Sequence, residues 1–323
     1  MDFALFGLIV ADVIAEPMEL RAAGRARRGG GARGGGGGAG ALRMLHSIRL
    51  TTGGNVCNVG IALAKLGSSV SACGMVGDDV LGRAVLEQLK AAGVNTDAVT
   101  RSDADQTSAT IVAVPKGGER TFFHTPGVTP RLDASAFRAC FATFHQCAWV
   151  QVGYFGLLPT LTPDLPELLR ELKQTSPGTK VALDTVDPPA PLNQLVPILP
   201  YVDLFAPSRP EAEALTGKVQ PRAMARALRP HMPPGSVLGI KLDKDGCLLD
   251  DGNQTVTAPA YKCDVVDTTG AGDTWFAGLL VALRKNMPLD QAARFANRVA
   301  ADCCTAFGAS AGLRSFEETL ARL

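Results

Sequence analysis

Val265-Val266-Asp267-Thr268-Thr269-Gly270-Ala271-Gly272-Asp273-Thr274-Trp275-Phe276-Ala277-Gly278-Leu279-Leu280 is the stretch from which the chain is read. A short apolar run ends at Asp267. A glycine-rich turn follows, and an unbroken helix-forming pattern then runs to about Arg284. The spacing starts this helix near Gly272. The first amides of a helix have no internal partner and carry the positive end of its macrodipole. Gly270 and Gly272 bring no side chain to cover them, so the turn reads as an anion site made of backbone. Asp273 stands at its rim, where a carboxylate can reach a hydroxyl beside the anion. An anion cradle next to a carboxylate is the arrangement of phosphoryl transfer. Taken alone, the same residues also read as an ordinary glycine turn with Asp as a helix cap. At a helix N-terminus the pKa of Asp273 is expected to be low, which makes it a weak base.

Composition narrows the setting. A chain of 323 residues suits one large α/β domain with a small appendage, or two domains. A net charge of +1 creates no global field for nucleic acid or an acidic membrane surface. None of the eight cysteines forms a Cys-x-x-Cys pair, and most lie in apolar runs. Buried, reduced thiols of a cytoplasmic protein are expected, not disulfides or zinc ligands. The four His are isolated, so no metal cluster is expected. The apolar N-terminus is short, carries Asp2 and Asp12 and has no basic leader, so a signal peptide is not expected. No apolar run is long enough for a membrane span.

Upstream of the opening stretch the pattern alternates. Phe3 to Val10 is a continuous apolar run and reads as a buried parallel strand with Asp12 just past its C-terminal end, where ligands of open α/β sheets bind. Val13 to Leu20 continues as a strand of a small flanking sheet, and Leu42 to Leu50 returns to it. Between them, residues 24–40 are almost entirely Gly, Ala and Arg, which cannot build a core, so a flexible insertion at about 21–41 is expected. Without interleaved aromatics it does not read as a nucleic-acid segment. Gly53-Gly54-Asn55 opens a helix through Lys65 that Gly67 ends. A strand at Val70 to Val76 and a helix to Ala92 follow. Thr110 to Val114 and Arg120 to His124 flank a turn and form a hairpin. Helices at 133–143 and 163–174 alternate with strands near 147–152, Val181 to Asp184, Val202 to Phe205 and Val237 to Lys241. A helix at 288–306 closes the pattern. Such alternation implies a parallel sheet covered by helices on both faces.

Asp267 to Asp273, followed by Thr274-Trp275-Phe276-Ala277-Gly278, resembles the C-terminal signature of the ribokinase-like carbohydrate kinases, the pfkB family. The series Gly53-Gly54-Asn55, Asn58, Leu66-Gly67, Gly77-Asp78-Asp79 and Gly82 is similar to that family's N-terminal signature. The resemblance covers nearly the whole chain except residues 21–41. It implies a single domain over 1–323: an α/β fold, a three-layer α/β/α sandwich with a mostly parallel central sheet. Segments at about 13–52 and 107–125 would form a small β-sheet lid. It also implies transfer of the γ-phosphoryl group of ATP to a hydroxyl of a small carbohydrate. Asp273 would be the base, with Gly270, Ala271 and Gly272 as the anion cradle. Asp12, Gly53, Gly54 and Asn58 would bind the acceptor. Arg120, Phe122 and His124 would stand either against it or in solvent on the lid.

The resemblance makes Ser208, Lys241, Asp243, Gly246 and Asn297 nucleotide-binding, though helix packing explains Asn297 equally well. Glu211 would hold a hydrated Mg²⁺. Asp267 and the carbonyl of Thr269, with carbonyls around 305–310, would form a monovalent-cation site for K⁺. Ser208 stands where the family usually has Asn, and Asp243 where it commonly has Gly. A homodimer through the lid is a further expectation. The sequence holds no Gly-x-x-x-x-Gly-Lys-Ser/Thr, which excludes a P-loop kinase. The alternatives are a nucleoside kinase of the same family, disfavoured by an aromatic content of 6%, and a non-catalytic sugar-binding regulatory protein.

Overall fold

A computed structural model gives the structure of the chain and describes residues 1–16, 44–115 and 121–323. The N-terminal half runs β1 (Phe3–Phe6), β2 (Val10–Glu16), β3 (Ser47–Gly53), α1 (Asn55–Lys65), β4 (Val70–Gly77), α2 (Val80–Ala91), β5 (Val94–Ser102), β6 (Ala109–Ala113) and β7 (Thr121–Thr125). Next come α3 (Ala134–Ala139), α4 (Phe141–Phe144), β8 (Trp149–Phe155), α5 (Leu165–Thr175), β9 (Lys180–Thr185), α6 (Leu192–Leu195) and β10 (Leu204–Phe205). The chain ends with α7 (Arg209–Thr216), α8 (Pro221–Leu228), β11 (Val237–Lys241), β12 (Cys247–Asp250), β13 (Thr255–Ala258), α9 (Ala271–Arg284), α10 (Leu289–Cys303) and α11 (Phe316–Leu320).

Among the described residues, nine strands form one sheet in the order β13-β12-β11-β10-β9-β8-β1-β4-β5. Every pairing is parallel except those of β12, which runs against both neighbours. Side chains of a strand alternate between faces, and β1 shows what that does here. Phe3 and Leu5 enter one core with α1, α2, α9 and α10, while Ala4 and Phe6 enter the other with α3 to α8. A strand buried on both faces must be apolar throughout, which explains the unbroken N-terminal run. The second sheet, order β3-β2-β6-β7, is antiparallel except for β2 against β6.

The first apolar run is two strands, not one. β1 stops at Phe6, and β2 begins at Val10 in the small sheet. Asn55, fully buried at the start of α1, holds the break. Its Oδ1 accepts from Leu8 N at 2.9 Å, and its Nδ2 donates to Phe6 O and Gln151 Oε1, each at 3.4 Å. A Cβ on Gly7 would fall 2.5 Å from Asn55 Oδ1, so the carboxamide occupies space that a glycine leaves. Asp12 therefore sits within a strand of the small sheet, paired with Thr51 and Thr110, and not in a loop beyond the main sheet. Leu8 and Ile9 stay buried through the break, so hydrophobicity alone does not mark it.

Other boundaries move less. The helix expected at 133–143 divides at Cys140, and the one expected at 288–306 ends at Cys303. The expected hairpin forms from β6 and β7. The Gly/Ala/Arg insertion and Arg120 lie outside the described residues.

Candidate active site

The helix α9 begins where the sequence places it. Gly270 is its N-cap in the left-handed region, φ 73°, and supplies no side-chain cap. A Cβ there would meet Ala309 Cβ at 2.3 Å, so the turn needs glycine both for its backbone and for its neighbour. Ala271 N–H donates back to Thr268 O at 3.2 Å and closes the turn. Ala271 therefore shapes the cradle with its amide instead of offering that amide to a ligand. Gly272 faces open space, because a Cβ there would meet nothing nearer than Lys241 Nζ at 3.9 Å.

Asp273, in the first turn of α9, is buried. Its Oδ2 accepts from Asn58 Nδ2 at 2.8 Å and from the Tyr154 hydroxyl at 2.9 Å. Burial lifts its pKa above the ordinary carboxylate value, against the hydrogen bonds from Asn58 and Tyr154 and the charge of Lys241, which pull it down. The expectation of a low pKa is thus corrected: desolvation outweighs the helix N-terminus. Asn58, expected to bind the acceptor directly, spends its amide on Asp273. Tyr154 was not singled out from sequence.

Asp12 approaches from the small sheet. A Cβ on Gly53 would fall 2.2 Å from Asp12 Oδ2, so the missing side chain makes room for that carboxylate. Gly54, φ 80°, is the N-cap of α1. Burial raises the Asp12 pKa, with the Thr110 hydroxyl opposing. Burial likewise pushes the Cys57 thiol on α1 up to about 12, and the charges of Asp12 and Asp273 add to that push. Asp12 lies against Gly53 and Asp273 is bound to Asn58, so both carboxylates border the start of α1. His124 lies in register with Thr110 and Asp12, and its Nδ1 is 3.1 Å from Thr110 Oγ1.

A second acidic group closes the other side. Asp184, at the end of β9, pairs with Lys241 Nζ at 3.0 Å. Burial holds the Asp184 carboxyl up at about 7, Lys241 opposes this, and the charges of Glu211 and Asp273 reinforce it. The Lys241 pKa is raised: burial works against its charge, but Asp184, Glu211 and Asp273 prevail. Sequence reading missed Asp184, although a carboxylate at the carboxyl end of a parallel strand is a signal for it.

Glu211 accepts at Oε2 from Ser208 N and from Thr185 Oγ1, each at 2.7 Å. Ser208 is the N-cap of α7 and completes a capping box with Glu211. Its hydroxyl is thereby engaged in helix capping. Asp243 is exposed and takes φ 53°, a left-handed conformation that Asp adopts more readily than most residues. Gly246, φ 95°, lies where a Cβ would meet Ala258 O at 2.0 Å. Asn297 is not offered to a ligand. Its Oδ1 accepts from Trp275 Nε1 at 2.8 Å, and its Nδ2 donates to Ala258 O and Pro259 O, each at 3.0 Å. It ties β13 to α9 and α10.

Asp267 Oδ1 accepts from Thr269 N, and its Oδ2 accepts from Gly308 N, both at 2.9 Å. The Cys303 thiol lies 3.5 Å from Thr269 O and 3.4 Å from Ala309 O. The carbonyls named for a cation are thus drawn together behind the glycine turn. Among the described residues, no group of three or more His, Cys, Asp or Glu could hold a metal ion by itself.

The chain has counterparts in sequence and in fold. The sequence pattern of the pfkB family carbohydrate kinases matches residues 31–315. A chain described as an uncharacterized sugar kinase, from Archaeoglobus fulgidus, is 28% identical over 260 residues, covering 78% of this chain and 98% of its own. A ribokinase of Bacillus subtilis is 29% identical over 283 residues, 84% of this chain and 87% of its own. Arabidopsis thaliana ribokinase, solved in complex with ribose and ATP, superposes with a TM-score of 0.80 at 20% identity, covering 99% of this chain and 97% of that one. The sequence match extends over most of the chain and takes in the whole α9 turn, and on it the chain belongs to the pfkB family of carbohydrate kinases, phosphotransferases with a hydroxyl acceptor.

Proposed function

We propose that the acceptor is a small sugar, bound between the Asp12 face of the small sheet and Asp273, and that the γ-phosphoryl group of ATP reaches it from the Gly272–Lys241 side. The observation that carries this reading is the position of Asp273. It stands in the open first turn of α9, bound to Asn58 of α1, and the half-buried Asp12 meets the start of the same helix at Gly53. Asp273 takes the proton of the acceptor hydroxyl, that oxygen attacks the γ-phosphorus, and ADP leaves. The first turn of α9 and the Lys241 ammonium balance the charge on the transferring group. A raised pKa suits Asp273 to this role better than a freely ionised carboxylate would, since proton affinity drives the transfer.

The donor set fits Mg²⁺. Asp184 and Glu211 offer hard oxygens, and the Asp184 carboxyl, held up at about 7 mainly by burial and further by the charges of Glu211 and Asp273, would gain from a bound cation. Glu211 and Asp184 would hold the hydrated ion, which when bound would neutralise phosphate charge. Asp267 and the carbonyls of Thr269 and Ala309 would hold K⁺. Gly246, Ser208 and Asp243 would border the nucleotide, with Asn297 shaping the loop at 258–259. Eight free thiols suit a reducing, cytoplasmic setting, and among the described residues no helix is long and apolar enough to cross a membrane.

A homodimer through the lid belongs to the same reading. Leu50, Val13, Ile111 and Phe123 lie in one row across the small sheet, on the face away from Asp12, with Leu50, Ile111 and Phe123 exposed. Sedimentation of the purified protein measures this. The substrate is tested by ATP-dependent ADP release over sugars, sugar acids and nucleosides. A sugar should give the highest kcat/KM. A nucleoside preferred over every sugar, or no turnover with any member, would overturn the reading.

A further inference from the structure

Tyr154 breaks the regularity of β8. Its φ of 56° lies in the left-handed region, an outlier for a bulky residue that the surrounding structure must hold in place. The pairing of β8 with β9 shifts register between Val152 and Phe155, so the strand bulges around it. Bulges re-aim side chains next to active sites. Here the result is a phenol directed at Asp273, whose Oδ2 accepts from the Tyr154 hydroxyl at 2.9 Å. Asn58, from α1 on the other side, donates to the same oxygen at 2.8 Å. Both donors meet Oδ2.

We infer that Tyr154 is a positioning residue for phosphoryl transfer: with Asn58 it pins Oδ2 of Asp273 and turns Oδ1 to the acceptor, as the oxygen that receives the proton. This rests on the reading of Asp273 as the base. Two converging donors fix both the rotamer and the plane of the carboxylate, which one donor would leave free to swing. The phenol keeps its own proton: burial and the charge of Asp273 hold its pKa well above the ordinary tyrosine value, so it acts as a donor throughout. The other charged groups bearing on Asp273 are Lys241 from β11, Glu211 from α7 and Asp184 from β9, which also bears on Tyr154.

Tyr154→Phe keeps the ring and the backbone and removes one donor. It should lower kcat about tenfold, in line with loss of a hydrogen bond to a charged group, and leave the KM for ATP unchanged. The carboxylate then loses a partner of its charged form, so the acidic limb of the kcat profile should move to higher pH. Combined with Asp273→Asn, the tyrosine change should cost nothing further, because residues acting through one group do not add. The inference is overturned if Tyr154→Phe keeps full kcat and an unmoved acidic limb while Asp273→Asn is crippled. Equal losses from Tyr154→Phe in both backgrounds would also overturn it. Near-normal kcat in Asp273→Asn alone would remove the base assignment itself, and this inference with it.

Discussion

The carboxyl of Asp273 sits in the first turn of a helix whose dipole favours its charge, in a site whose dryness opposes it. Burial prevails and raises the pKa. A base must be ionised to act, so kcat/KM should fall as pH drops through that raised pKa, above the range of an exposed carboxylate. Asp273→Asn keeps the size of the group but cannot take the proton, and should lower kcat by roughly 10²–10⁴. Steady-state rates across pH check both statements. Wild-type rates in the Asn variant would sink the mechanism. The neighbours of Asp273 were unevenly legible. Asn58 stood out because it lies in a recognisable series with Gly53 and Gly54. Tyr154 did not, since one tyrosine after a strand carries no pattern, and its meaning comes from a positive φ that sequence does not display. Asn297 was readable as a buried helical polar group, but its three partners sit 22 to 39 residues away in sequence.

At the scale of elements, the turn before α9 is knotted to the loop after α10. Asp267 binds Gly308 N, and Gly270 leaves room only for Ala309. A cation held by the carbonyls behind this knot would brace the turn that faces the phosphates. Turnover should therefore rise when K⁺ replaces a bulky organic cation at matched ionic strength, and equal rates would count against a cation there. Elements with a clear apolar face, such as α1, α2 and β4, were legible because burial imposes a period on sequence. β5 was not: Asn95, Asp97, Thr100 and Arg101 make it a polar edge strand whose exposed positions interrupt the apolar pattern. β12 and β13 form an edge hairpin around Asp251-Gly252, a turn signal that passed unread.

At the scale of the molecule, alternation of strand and helix made the layered architecture predictable, but it did not give the order of the strands, which depends on where each crossover returns to the sheet. The place of Asp12 did not follow, because a buried break between two strands looks in sequence like one strand. That break also sets how the acceptor side of the proposed site is attached to the main sheet. The small sheet leaves the core through the short segment that Asn55 pins, and Asn55 belongs to the same helix as Asn58, one turn ahead of it. An acceptor that touches both carboxylates, as proposed, would tie the small sheet to the first turn of α9, and a water molecule at Asp273 would not. ADP release without sugar should then run far below the rate with it. A leak close to the full rate would show that contact with Asp12 contributes nothing to turnover.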